Sequence, residues 1–281
     1  MSNERANEAS ANEAGSNGAG AGKTAAGRPV VMITGCSRPG RVGHACALAF
    51  ARRGCDLVLT HRAAAAGGAG AIAAECERLG AGVTLYELDL EDVAGVGRAA
   101  ERMAGELAES GGLDVLVHNA SWYEPSALEG LDAGVLALAM AVNAHGPAML
   151  SAGLRGLLAA SRCAGGGAIV SMCDIHAMGE RGQPRKGHLA YGMSKAALLE
   201  MTLALARELA PRVRCNAVAP GVVAFPDSGH EADAAMQARY LARVPMGRSG
   251  TPQEAAAAVV FLALDATYTT GQVLKVDGGR N

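Results

Sequence analysis

"VVMITGCSRPGRVGHACALAFARRG", residues 30–54, places an unbroken apolar run, a glycine-bearing turn and an Ala/Leu-rich segment in that order. A near-continuous apolar run suits a strand covered on both faces, as the strands of a parallel sheet are. Gly35 and Gly43 bracket the turn, with Gly40 between them. Glycine permits the positive φ of a tight turn and lets backbone N–H groups approach a pyrophosphate at the N-terminus of the next helix. Strand, turn and helix together form the opening unit of a dinucleotide-binding fold. A plain tight turn is the lesser alternative on these residues alone.

The same alternation continues outward. "DLVLTH" (56–61), "VTLYELD" (83–89), "LDVLVHNA" (113–120), "GAIVSM" (167–172), "VRCNAVAPG" (213–221) and "QVLKVDGG" (272–279) read as further strands. Candidate helices lie between them at 42–53, 64–79, 91–110, 131–161, 191–210 and 251–264. Thr251 followed three residues later by Glu254 is a capping box that marks one helix start. Strands alternating with helices imply right-handed crossovers. The fold expected is α/β: a single Rossmann-like, doubly wound parallel sheet of about seven strands with helices on both faces.

Residues 1–28 differ from the rest, being mostly Ala, Gly, Asn, Glu and Ser with no apolar periodicity. They bury too little apolar surface to offset their ordering entropy, so a disordered tail is expected, followed by one domain over 29–281. "GAGAGKT" (18–24) imitates a phosphate-binding loop, but position 17 is Asn and no strand feeds it. The tail has no apolar centre of signal-peptide type. A net charge of −2 argues against nucleic acid or an anionic membrane as partner. No apolar run approaches the roughly 20 unbroken residues of a membrane span. The seven cysteines form no C-x-x-C pair and suit free thiols in a reducing cytoplasm. The histidines show no paired metal-ligand spacing, and no metal is expected.

The second strand speaks to the cofactor. A carboxylate at its end would accept from a ribose 2′-OH and repel a 2′-phosphate. This strand ends with His61 and Arg62 and no acid. The guanidinium of Arg62 suits a phosphate by charge and fork geometry, so NADPH is expected over NADH.

Together, "TG…RVG" (34–43), "DL" (89–90), "HNAS" (118–121), Asn143, "YGMSK" (191–195), "APG" (219–221) and "VDGG" (276–279) resemble the short-chain dehydrogenase/reductase family. The resemblance covers nearly everything from 29 to 280 and implies an NAD(P)-binding enzyme, often a homotetramer. It implies a cofactor site built from Gly35, Ser37, Arg41, Val42, Gly43, His61, Arg62, Asp89, Leu90, Asn119, Ala120, Ser121, Tyr191, Lys195, Pro220, Gly221 and Val222. Within the family the chain looks most like the pteridine reductases, which also have Arg in the turn and Asp where others have Ser. Those features correspond to Arg41 and Asp174. "NASWYEPSAL" (119–128) resembles their pterin-stacking segment, which places Ser121, Trp122 and Tyr123 at the substrate. Two departures stand out. The turn from Gly35 to Arg41 is longer by two residues, and 16 residues separate Asp174 from Tyr191, about four more than usual. The polar "GERGQPRKG" (179–187) is expected to loop over the site.

The chemistry expected centres on Tyr191 as general acid. A free phenol has a pKa of about 10, and Lys195, at i+4 on the same helix face, is expected to lower it and to hold the nicotinamide ribose. Asn143 would support a water linked to Lys195, or else be a buried structural Asn. Asp174 bears on the substrate. An ionised carboxylate opposes an oxygen that becomes anionic but favours a cationic C=N acceptor. A protonated Asp174 would instead act as a neutral donor. "VVAFPDSGHEADAAMQARYLARVPMGR" (222–248) is expected to be a lid with a short helix near 231–242, with Phe225, Met236 and Tyr240 placed to face the substrate.

The leading expectation is therefore an NADPH-dependent reductase of a C=N bond in a pterin-like heterocycle or cyclic imine. A carbonyl reductase or alcohol dehydrogenase, for instance on 3-oxoacyl thioesters, is the alternative. A non-catalytic NADP-binding regulatory protein comes third, disfavoured by the intact Tyr191 and Lys195.

Overall fold

A computed structural model describes residues 27–178, 184–225 and 232–281. The tail over 1–26, with its imitation phosphate loop, lies outside the described residues, as do 179–183 and 226–231.

Seven strands form one parallel sheet: β1 (Val30–Ile33), β2 (Asp56–His61), β3 (Val83–Glu87), β4 (Val115–His118), β5 (Gly167–Met172), β6 (Val213–Pro220) and β7 (Val273–Val276). Their spatial order is β3-β2-β1-β4-β5-β6-β7. The order reverses beside β1, so the loops leaving β1 and β4 diverge and open a crevice at the carboxyl edge. Around the sheet lie α1 (Val42–Arg52), α2 (Ala66–Arg78), α3 (Val93–Ser110), α4 (Ala133–Met140), α5 (Gly146–Ala159), α6 (Leu189–Glu208), α7 (Ala234–Leu241) and α8 (Pro252–Val260).

The period-2 alternation of β1 decides which layer each side chain enters. Val31 and Ile33 pack with Phe50 of α1, Ile72 of α2 and Val259 of α8. Val30 and Met32 point the other way, onto Met103 of α3 and onto Leu150 and Leu154 of α5. Both faces are covered, which explains why the strand has no polar side.

The expected helix over 131–161 is interrupted. Between α4 and α5, residues 141–145 form a π turn. A π turn places one extra residue in the spiral and turns a chosen side chain inward. Here that residue is Asn143, fully buried. A second π turn, 261–265, follows α8. There the buried guanidinium of Arg214 donates to the carbonyls of Leu262, Ala263, Ala266 and Gly165. Its planar fork answers backbone oxygens that the helix end leaves open. The capping box forms as the sequence suggests, with the Thr251 hydroxyl accepting from the Glu254 N–H and the Glu254 carboxylate accepting from the Thr251 N–H.

Candidate active site

The crevice is a cavity of about 710 Å³ along the carboxyl ends of β1, β2 and β4. It is lined by Gly35, Ser37, Arg41, Val42, Gly43, His61, Arg62, Asp89, Leu90, Asn119, Ala120 and Ser121 from the predicted cofactor set, and by Trp122 and Tyr123 from the substrate set. A larger cavity, about 920 Å³, opens beside Arg28, Arg53, Asp114 and Ser161 and holds none of the predicted site residues.

The floor of the crevice depends on close backbone approach. A Cβ on Gly43 would sit 2.6 Å from the Asn119 amide, so only glycine lets α1 start there. Asn119 is itself tied back to the first strand, its backbone N–H donating to the Thr34 hydroxyl (3.0 Å) and its amide to the Thr34 carbonyl (2.9 Å). The turn rests on α2, where a Cβ on Gly68 would overlap the Ser37 carbonyl. His44 pins this arrangement. Its Nδ1 accepts from the Gly40 N–H at 3.0 Å, which leaves the proton on Nε2, 3.2 Å from Glu75. The glycine floor, the N-terminus of α1 and three arginines (38, 41 and 62) fit a dinucleotide. Ser37, Arg41, Val42 and Gly43 would hold its phosphates, and the bound cofactor would supply hydride. Arg62 is not idle. Its guanidinium meets Glu91 at 3.3 Å, an exposed pair of the kind worth at most about 1 kcal/mol, so a phosphate can displace it.

The catalytic cluster forms where β5 ends. Asp174 caps a short turn over 175–177, one oxygen accepting from the His176 N–H at 2.7 Å. Its other oxygen accepts from the Tyr191 hydroxyl at 2.8 Å. Tyr191 lies in the first turn of α6, and Lys195 lies one turn further on. The Lys195 ammonium, almost fully buried, donates to the Met172 carbonyl at 2.8 Å.

The expected effect of Lys195 on Tyr191 needs correction. Burial pushes the Tyr191 phenol well above its ordinary value, and the charge and hydrogen bond of Asp174 push it further. Burial also pulls Lys195 below its ordinary value. The ammonium lies 5.8 Å from the Tyr191 ring centre and is spent on a backbone carbonyl. The phenol is therefore kept protonated, the form a proton donor needs. The side chain of Asn143 is fully engaged with protein groups. Its side chain accepts from the Trp122 N–H and donates to the Trp122 carbonyl and the Ser194 hydroxyl. It braces the loop after β4 against α6, which is the structural alternative.

Tyr123 is not an open stacking platform. Its ring stacks on His188 (centres 5.0 Å apart) and meets Tyr191 edge-on at 4.7 Å. The described end of the lengthened loop is stitched beside it. Ser126 donates from its N–H to the Gly187 carbonyl, and its carbonyl and hydroxyl accept from the N–H groups of Leu189 and Ala190. Beyond β6, Pro220, Gly221 and Val222 do not line the crevice; Val223 and Ala224 do. Phe225 packs edge-on against Tyr240 of α7, centres 6.1 Å apart, which leaves it turned toward that helix. Among the described residues, no group of three His, Cys, Asp or Glu side chains could hold a metal.

Some participants escaped the sequence reading. Arg38 was visible as a cation in the turn, next to the Ser37 already chosen. The Met172 carbonyl and the His188 ring had no local signal, because strand ends and loop stitching place them.

His118 gives the site a pH liability. It is buried in β4, with Nε2 on the Ser151 hydroxyl at 2.8 Å. Burial, aided by the Lys195 charge, pulls its pKa down to about 3. An unfolded histidine takes its proton near 6.5, so below that pH only the unfolded chain is protonated here. This contribution to stability is complete above about pH 6.5 and fades toward pH 3, by about 1.4 kcal/mol per pH unit. His118→Asn should flatten the fall in urea midpoint between pH 6.5 and 4.5. A variant that falls as steeply as the parent would exclude His118 as a source of the loss.

A family model described as enoyl-(acyl carrier protein) reductase matches residues 37–281. The chain belongs to the short-chain dehydrogenase/reductase family and is an oxidoreductase. An L-rhamnose 1-dehydrogenase (NAD(P)(+)) of Azotobacter vinelandii is 33% identical, over 89% of this chain and 95% of the relative. A dihydromonapterin reductase of an Enterobacter species is 34% identical over 71% of this chain and 78% of its own. A Beutenbergia cavernae protein assigned as an NAD(P)-dependent gluconate 5-dehydrogenase, solved with bound NADP, superposes with a TM-score of 0.79. It is 33% identical and covers 92% of this chain and 98% of that one. The family binds NAD(P).

Proposed function

We propose that the protein is an NADPH-dependent reductase that delivers hydride to a carbonyl carbon while Tyr191 protonates the oxygen, with alcohol oxidation as the reverse. The observation that carries this is the Tyr191 hydroxyl, held protonated by burial and by Asp174, on a ring that meets Tyr123 of the crevice lining edge-on. Relatives named for dehydrogenation of a sugar and a sugar acid weigh toward C–O chemistry and against the C=N reading that Asp174 first suggested. The C=N reading stays as the second, favoured by the hydrogen bond of Asp174 to Tyr191 and by the dihydromonapterin reductase relative. An NADPH oxidation screen over ketones, oxo acids, cyclic imines and dihydropterins tests both. Turnover confined to imines or dihydropterins would overturn the first reading, and turnover of none would overturn both.

The choice of NADPH rests on Arg62 and on the lack of a carboxylate at the end of β2. Losing one charge-assisted contact to a 2′-phosphate is worth about 1.5–3 kcal/mol. Arg62→Ala should raise the KM for NADPH by about 10- to 100-fold and leave that for NADH nearly unchanged. A native preference for NADH would contradict the assignment. We further propose a homotetramer, because Met149 of α5 and Leu189 and Met193 of α6 are large apolar side chains left exposed. Light scattering at the monomer mass would refute it.

A further inference from the structure

The residues after β7 fold back over the carboxyl edge of the sheet. The Gly221 N–H donates to the Val276 carbonyl, and the amide of Asn281 donates to the Ile175 carbonyl, one residue from Asp174. Arg280, the residue before Asn281, is thereby held near the turn that bears Asp174 and against Tyr240 of α7. Its guanidinium lies over the Tyr240 ring, 4.4 Å from the centre. The Tyr240 hydroxyl in turn faces Gly221, where a Cβ would lie 3.5 Å from it.

Two polar atoms here are buried and without a hydrogen-bond partner among the described residues: Arg280 Nε and the Tyr240 hydroxyl. Burying a polar group without a partner is costly, and for a charged group more so. Among the described residues, the nearby anions are already engaged. The Asp277 carboxylate accepts from the N–H groups of Gly279 and Asn281, and Lys275 takes the Asn281 backbone oxygen. Among the described residues no carboxylate pairs with Arg280, whereas Arg53, Arg62 and Arg248 each have one. A planar guanidinium is a fork of donors that suits a carboxylate, and the phenolic O–H of the ring it covers is a further donor with no partner among the described residues.

We propose that Arg280 and Tyr240 form a carboxylate-binding subsite and that the natural substrate is an oxo acid or its hydroxy acid. Cation–π contact with the Tyr240 ring orients the guanidinium, and the Tyr240 hydroxyl supplies a second donor. The substrate's charged end is then held at the lid while its reacting carbon faces Tyr191. The inference rests on the reductase reading, and it names the class of substrate which that reading leaves open.

The test uses the full chain loaded with NADP+. Calorimetric titration with cyclohexanecarboxylate and with cyclohexanecarboxamide measures recognition without any chemistry. In parallel, NADPH oxidation is followed with 4-oxocyclohexanecarboxylate and its methyl ester. The acid should bind and turn over at least tenfold better than its neutral counterpart. Arg280→Ala should bring both ratios near one, with the loss for the oxo acid falling on KM rather than kcat. Arg280→Lys should restore part of the preference, and Tyr240→Phe should lower it by a smaller factor. Equal binding of acid and amide by the parent, or a preference that survives Arg280→Ala, would overturn the subsite. A carboxylate preference in binding with no turnover of any probe would leave the subsite standing and count against the reductase reading alone.

Discussion

Tyr191→Phe should lower kcat for reduction by about 10²- to 10⁴-fold with little change in KM, because general-acid catalysis by a placed side chain contributes on that scale. The ring itself, edge-on to Tyr123, is retained by phenylalanine, so the loss reports the proton and not the packing. The same geometry fixes the sign of the pH dependence. Burial and Asp174 hold the phenol above its ordinary value, so it stays loaded with its proton throughout the neutral range. Reduction should therefore show no basic limb due to Tyr191 below about pH 10. Oxidation, which needs the phenolate, should rise with pH. Steady-state rates of Tyr191→Phe in both directions from pH 6 to 10 decide the matter. A variant within threefold of the parent would remove Tyr191 from the chemistry.

Replacing Asp174 by serine should change the two candidate reactions in opposite directions. A substrate heteroatom within hydrogen-bond reach of the Tyr191 oxygen lies about 4 to 5 Å from an Asp174 oxygen. An iminium N–H can donate to the phenol while the phenol keeps donating to Asp174, whereas a carbonyl oxygen needs the single phenolic proton to turn from Asp174 toward it. At that range, and with an effective dielectric near 20, a unit charge is worth about 4 kcal/mol, close to a thousandfold in rate. For a cationic C=N acceptor, Asp174→Ser removes attraction and should depress the rate by up to that factor. For a carbonyl, an ionised Asp174 opposes the alkoxide, so the serine variant should gain, most of all at high pH. A carbonyl reaction that instead collapses in the serine variant would mean that Asp174 works as a neutral donor. Rates for a matched ketone and cyclic imine, measured from pH 5 to 9, separate these outcomes.

The period-2 and near-continuous apolar runs made the sheet legible, since a strand covered on both faces has no polar side to obscure it. β2 and β5 were bounded to the residue. β7 was over-read by several residues, because the glycines and the Asp277 of "VDGG" belong to a turn set by hydrogen bonds to Gly279 and Asn281. The π turn at Asn143 was illegible because helix periodicity does not reveal a single inserted residue. In the site, the crevice lining was largely readable from the first turn and from "HNAS", which are local motifs. The environment of Tyr191 was not. Spacing put Lys195 on the same helix face, but only the fold shows that the ammonium turns to Met172 and leaves Asp174 as the phenol's polar neighbour. Arg280 and Tyr240 belong to segments about 40 residues apart, and nothing local joins them.

The bulge over 141–145 has a consequence for how this chain tolerates length changes. Each residue of a regular helix turns the spiral by about 100°. Removing one residue from the bulge would restore uniform winding and spare a local irregularity, yet it would swing Asn143 off the Trp122 loop and the Ser194 hydroxyl. The chain would gain a smoother rod and lose the brace that keeps the crevice aligned with the first turn of α6. Here the defect in the helix is what keeps the site in register, so deletions scanned along this stretch should harm turnover before they harm folding.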